Sequence, residues 1–197
     1  MNENLNNALR MNLKETSSLS EKDTDLLGSI FKPKSIKKDM FFLQKGEQSI
    51  DIGFICKGVF RSYYLDNRGN DITKYFHAEG AILFSYAAYL SQKESMYYIQ
   101  ALEDSELLVA KISDFESIVE GNAQLLYLYK KMIDRVLVAK EEHASSFKLL
   151  NSAGRYEHFL AEYPGLEGRI KQYHLASYLG ITPVSLSRIR KKLMINK

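Results

Sequence analysis

The sequence contains a single cysteine, Cys56, among its 197 residues. One thiol excludes an intramolecular disulfide, a four-cysteine zinc site and an iron–sulfur cluster held by the chain's own thiolates. No apolar run approaches the roughly 20 residues needed to span a bilayer. The leading segment, residues 1–18, is polar and shows neither the apolar stretch nor the small-residue cleavage site of a secretory signal. A soluble, cytoplasmic protein is expected. Histidine is scarce: His77, His143, His158 and His174 are all there are, and the last three fall in stretches of helical periodicity. A cupin-like metal-dependent enzyme, the competing class for a small β-barrel, needs clustered histidine and carboxylate ligands. Gly-x-Ser-x-Gly, phosphate-loop and His-Glu-x-x-His motifs are absent as well. The expectation is a non-enzyme without a metal.

What is present describes an ordinary globular chain, with 45% hydrophobic and 26% charged residues. Its length suits one large domain or two small ones with real cores. The formal charge of +3 is unevenly spread. Residues 151–197 carry eight basic and three acidic side chains, a net of +5, whereas the first 150 residues are net −2. A basic end on a slightly acidic body is the asymmetry of a protein that touches a polyanion with one part only.

Punctuation and periodicity then divide the chain. Ser20 ahead of Glu21 and Asp23 reads as a capped helix start, with Leu26, Leu27 and Ile30 on one face and Pro33 ending the run. From residue 34 to about 112, short β-branched and aromatic segments (40–44, 52–57, 59–65, 72–77, 96–101 and 107–112) alternate with turn signals. That spacing predicts an antiparallel sandwich or barrel. Ser113 and Glu116 have the spacing of a capping box. Asn122 is placed to cap a helix reaching about Lys148. Along it Leu126, Tyr129, Ile133, Val136, Lys140, His143 and Phe147 follow a 3-4 seam, which suits a helix dimer or packing on a sheet. Asn151-Ser152 opens a shorter amphipathic helix with Tyr156, Phe159, Leu160 and Tyr163, closed by Pro164-Gly165.

The informative stretch is 172–193, two helices joined by a tight turn. Leu175 and Leu179 face inward from the first helix, and Ala176 is small enough for a close crossing. Gly180 supplies the positive φ where the chain reverses, and Ile181 fills the gap between the helices. Thr182 caps the second helix, Pro183 starts it with φ preset, and Leu186, Ile189 and Leu193 form its buried face. This is a helix-turn-helix, whose second helix enters the major groove by its N-terminal part. Pro183, Val184, Ser185 and Arg188 are left outside as base readers, with Arg188 suited to the O6 and N7 of a guanine. Thr182, Lys191 and Lys192 suit phosphate oxygens, which fix register without reading sequence.

These segments and their order resemble the Crp/Fnr superfamily of bacterial transcription regulators. The similar stretches are 99–108 (IQALEDSELL), 155–164, 175–183 (LASYLGITP) and 186–193 (LSRIRKKL). The resemblance implies an α+β fold: an N-terminal antiparallel β-roll (a double-stranded, jelly-roll-like β-helix), a long dimerisation helix and a C-terminal helix-turn-helix domain. The corresponding boundaries are 1–121, 122–148 and 149–197. It further implies a homodimer, seamed by Leu126, Tyr129, Ile133, Val136, His143 and Phe147, on an inverted-repeat operator in double-stranded DNA. RNA polymerase stands as a candidate further partner, and no membrane association is expected.

Three departures from the family pattern matter. The effector pocket of cyclic-nucleotide-binding members corresponds to Gly80, Ala81, Ile82, Glu94 and Ser95. Ala81 replaces the glutamate that holds the ribose, and Glu94 replaces the arginine that holds the phosphate. A carboxylate repels a cyclic phosphate, so no cyclic nucleotide and no cofactor are expected. The roll then senses an unknown effector or serves as a ligand-independent scaffold that docks another protein. Pro183 and Val184 occupy the places of an arginine and a glutamate in the recognition helix of well-known members, so only Arg188 remains of their three base readers. The sequence also ends four residues after Leu193, so the usual wing is expected to be absent or truncated.

Overall fold

The structure, a computed structural model, describes residues 9–11 and 19–195; most of the polar leading segment and the final two residues lie outside that range. Helix α1 (Glu21–Ser29) begins at Ser20, whose hydroxyl accepts the Asp23 N–H at 3.1 Å. Strands β1 (Lys32–Ile36), β2 (Phe41–Leu43), β3 (Asp51–Lys57), β4 (Phe60–Leu65), β5 (Asp71–His77) and β6 (Ile82–Leu83) follow. A short helix α2 (Tyr86–Ser91) precedes β7 (Tyr98–Ala101) and β8 (Ser105–Lys111). The strands form two four-stranded sheets, ordered β1-β8-β3-β6 and β2-β7-β4-β5.

The alternation of β3 and β8 positions the core. Ile52, Phe54, Leu108 and Ala110 pack with α1 residue Leu27 and with Ile112, Phe115 and Val119. Ile55 and Leu107 point the other way, onto Leu43, Phe60, Ile99 and Ala101 of the second sheet. Burial on both faces explains why these strands read as near-continuous apolar runs rather than clean alternation.

Four elements depart from the sequence reading. Strand β1 includes Pro33, which breaks helices but is tolerated on an edge strand that pairs only with β8. Strand β6 and helix α2 are too short to show a period. The Ser113–Glu116 capping box does not form. Helix α3 (Ile112–Glu120) instead starts directly from β8, with Lys111 at its N-cap and the Ile112 N–H bound to the Ile50 carbonyl at 3.0 Å. Glu116 accepts from the Tyr89 hydroxyl instead.

Helix α4 (Ala123–Leu149) is capped by Asn122, whose side-chain oxygen accepts the N–H groups of Gln124 (3.0 Å) and Leu125 (3.2 Å). Helix α5 (Ser152–Glu162) is capped by Asn151, which accepts the Gly154 N–H at 2.9 Å. A 3-10 turn (Leu166–Arg169), helix α6 (Gln172–Tyr178) and helix α7 (Pro183–Ile195) complete the described chain. Two compact units result. One holds residues up to 62 with 76–134, and the other joins 63–75, the tip of the β4–β5 hairpin, to 135–197. No described helix is long and apolar enough to cross a membrane.

Candidate nucleic-acid interface

Helices α6 and α7 are held as a unit by a small number of local bonds. Gly180 has φ +66°, and its N–H donates to the Ser177 carbonyl (3.1 Å) while the Ile181 N–H returns to Ala176 (3.0 Å). Leu175, Ala176, Leu179 and Leu186 are buried between the helices. Thr182 caps α7 by accepting the Ser185 N–H at 3.1 Å. Gln172 Nε2 donates to the Pro183 carbonyl at 2.8 Å, tying the two helix starts together. Arg155 closes the other side by donating to the carbonyls of Leu150 (2.9 Å) and Leu179 (3.0 Å).

A methyl group on Gly180 would come within 2.9 Å of the Phe147 ring, at a φ that side chains rarely adopt. Gly180→Ala is therefore expected to destabilise the C-terminal unit by about 1–3 kcal/mol. Thermal unfolding reads this as a lowered Tm, and an unchanged Tm would contradict the steric argument.

The outer face of α7 is open. Val184 is 61% exposed, and Pro183 and Arg188 stand beside it in solvent. Ser185 is half-buried, with its hydroxyl 3.0 Å from that of Thr182. Among the described residues no carboxylate pairs with Arg188, Lys191 or Lys192. Arg190 differs: its guanidinium lies 2.6 Å from a Glu167 carboxylate oxygen and over the Tyr156 ring. Within the basic tail Arg155 and Arg190 are thus structural, whereas Arg188, Lys191 and Lys192 face out. Lys171 and Tyr173, passed over in the sequence reading, add to that set at the start of α6. Tyr173 is 46% exposed, with the Lys171 ammonium 5.7 Å from its ring centre. Adjacent basic and aromatic residues were the available signal.

The seam of α4 is only partly outward. Tyr129 packs edge-on against Phe115 (5.6 Å), and His143 lies against Tyr75, Phe147 and Tyr178 at 4.9–5.2 Å. Phe147 also receives the Arg155 guanidinium at 4.8 Å. Burial pushes the His143 imidazole below its ordinary pKa, leaving it neutral at pH 7. Tyr129, His143 and Phe147 are therefore engaged within their own chain. The outward face carries Leu126 (48% exposed), half-buried Ile133 and Leu137 (66% exposed), with Lys130, Lys140 and Ala144 at intervening positions. Val136 lies at the margin of this stripe. Leu137 lies outside the 3-4 seam read from the sequence, because such a pattern can be started on either of two neighbouring registers.

The five positions of the expected effector pocket fall into two places. Gly80 donates to the Ile55 carbonyl (2.9 Å), and Ala81-Ile82 leads into β6 beside β3. Ser95 is buried against the turn after β2: its N–H donates to Glu47 (2.8 Å), its carbonyl accepts from Gly46 (2.9 Å), and its hydroxyl donates to Tyr97 (2.8 Å). Glu94 is exposed. No hydrogen bond or ion pair joins the two groups among the described residues. Glu79 accepts the Gly58 N–H at 2.8 Å, and His77 Nε2 is 2.8 Å from the Ser62 hydroxyl. Among the described residues no group of three or more histidines, cysteines or carboxylates is placed to hold a metal ion.

No protein-family model and no curated protein matches the chain. Solved structures do. FixK2 from Bradyrhizobium japonicum superposes with a TM-score of 0.75 at 20% identity, covering 85% of this chain and 86% of that one. CLP of Xanthomonas campestris, a c-di-GMP-responsive global regulator, gives 0.69 at 14% identity over 90% of this chain and 93% of that one. A transcriptional regulator assigned to the Crp/Fnr family, from Eubacterium rectale, gives 0.66 at 16% identity over 90% and 85%. The chain has a Crp/Fnr-like fold, α+β, with an antiparallel N-terminal domain, a long helix and a C-terminal helical domain.

Proposed function

We propose that this protein is a sequence-specific, DNA-binding transcription regulator that acts as a homodimer on an inverted repeat. The observation that carries the reading is the outer face of α7: a capped recognition helix on a rigid turn, with Arg188, Lys191 and Lys192 exposed and unpaired among the described residues. Arg188 reads a guanine edge, Val184 and the Pro183 ring contact a thymine methyl, and Ser185 bonds a base edge. Thr182, Lys191 and Lys192 hold phosphates, and Lys171 extends that contact from α6. The fold of the solved regulators supports this assignment over an enzyme. The division of labour follows: residues 1–121 sense or scaffold, 122–148 dimerise through Leu126, Ile133 and Leu137, and 149–197 read DNA. Selection from a random duplex library tests the reading. Enrichment of an inverted repeat is expected, and a library that stays unenriched would overturn it.

The roll, on this reading, responds to something other than a cyclic mononucleotide. Such a ligand keeps one negative charge and needs a cation and free donors in a dry site. Glu94 offers the wrong sign, Ala81 cannot accept a ribose hydroxyl, and the Ser95 hydroxyl is already spent on Tyr97. Losing a charge-assisted pair and adding a like charge together cost several kcal/mol, which moves a micromolar site to about a millimolar or weaker. Isothermal titration with cyclic AMP and cyclic GMP at physiological salt is expected to show no binding tighter than that. A low-micromolar dissociation constant for either would contradict it.

A further inference from the structure

We propose that the tip of the β4–β5 hairpin is a latch on the DNA-reading head, with Ser177 as the positioning residue that closes it. The Ser177 hydroxyl accepts the Thr73 N–H (2.9 Å) and donates to the Asp71 carbonyl (3.1 Å). Strand β5 is the outermost strand of its sheet, so these two backbone groups face no further strand. One side chain on α6 thereby satisfies a donor and an acceptor, as a neighbouring strand would. Thr73 is only 4% exposed, which keeps the bond out of water. The next residue, Tyr178, adds a second grip: its ring lies 4.9 Å from His143, which lies 5.2 Å from Tyr75 of the same strand. Ser177 thus holds β5 directly, and Tyr178 is linked to it through the His143 ring of α4.

Position in the chain gives the latch its consequence. Ser177 and Tyr178 end α6, and Leu179-Gly180 leads from there into α7. At its other end the hairpin continues covalently into the roll through residues 60–62 and 76–77. No hairpin residue covers the reading face, since Val184 and Arg188 stay exposed with the latch closed. The latch therefore acts within the C-terminal unit, and a change in the pairing of β4 with β5 reaches α7 through it. The latched form is the one that binds the operator, because an ordered head pays less entropy on docking.

The inference rests on the DNA-binding reading, and the test separates the two. In the full-length chain, Ser177→Ala removes both hydrogen bonds and is expected to speed hydrogen exchange at the Thr73 amide and to weaken operator binding by roughly tenfold. Affinity for random duplex at the same salt should be unchanged. Exchange at the Leu179 amide, bonded to Leu175 at 3.0 Å, should stay slow and reports that the head is still folded. Ser177→Thr keeps the hydroxyl and should restore both readouts. Wild-type protein that prefers no duplex would sink the DNA reading itself. Wild-type protein that reads its operator, with a folded Ser177→Ala protein that reads it equally well, would sink the latch; so would unaltered exchange at Thr73.

Discussion

Ile133→Glu combined with Leu137→Glu is expected to convert the proposed dimer to a monomer at micromolar concentration. Both side chains lie on the stripe of α4 that carries Leu126; Leu126 and Leu137 are exposed and Ile133 is half-buried. In a two-fold dimer the change places four carboxylates near one axis. Each lacks a partner and faces a like charge, and leaving a buried charge unpaired costs about 3–5 kcal/mol. Sedimentation or light scattering reads the result. Tyr127→Glu is the control, because Tyr127 is 60% exposed on a different face of the helix, beneath Lys131. A double-glutamate variant that remained dimeric would remove the stripe from the interface.

Arg188→Ala separates sequence reading from general attraction. A bidentate arginine on guanine discriminates by about 1–3 kcal/mol, and a dimer carries two such contacts. Operator affinity should fall by that amount in each half-site while affinity for random duplex falls only slightly. Lys192→Ala should do the reverse, weakening every duplex alike and lowering the salt slope by about one ion per half-site. Competition binding at two salt concentrations distinguishes them. An Arg188→Ala loss that is equal on operator and random DNA would reassign Arg188 to a phosphate.

How much of this was legible in the sequence depended on the range of the interaction. The helix-turn-helix was readable because its constraints are local: a positive φ at Gly180, a cap at Thr182, and Leu175 and Leu179 four apart. The caps at Ser20, Asn122 and Asn151 were readable for the same reason. The capping box at Ser113 was misread because β8 runs straight into α3, and a hydrogen bond from the Ile112 N–H to the distant Ile50 carbonyl sets the start of the helix. Pro33 in β1 was read as a terminator because the sequence cannot show which strand lies on an edge. The Ser177 latch joins residues 104 apart, and no local pattern marks a serine that will bond a strand so far away. The face of α4 was ambiguous until His143 and Phe147 were seen to be engaged by Tyr75, Tyr178 and Arg155.

A hydroxyl-radical footprint on the selected duplex tests the central claim most directly. Two recognition helices related by a two-fold axis enter successive major grooves about 34 Å apart. The footprint should therefore show two equivalent protected patches, one helical turn apart, both lost together in the Ile133→Glu, Leu137→Glu protein. A single patch, or protection without two-fold symmetry, would contradict it.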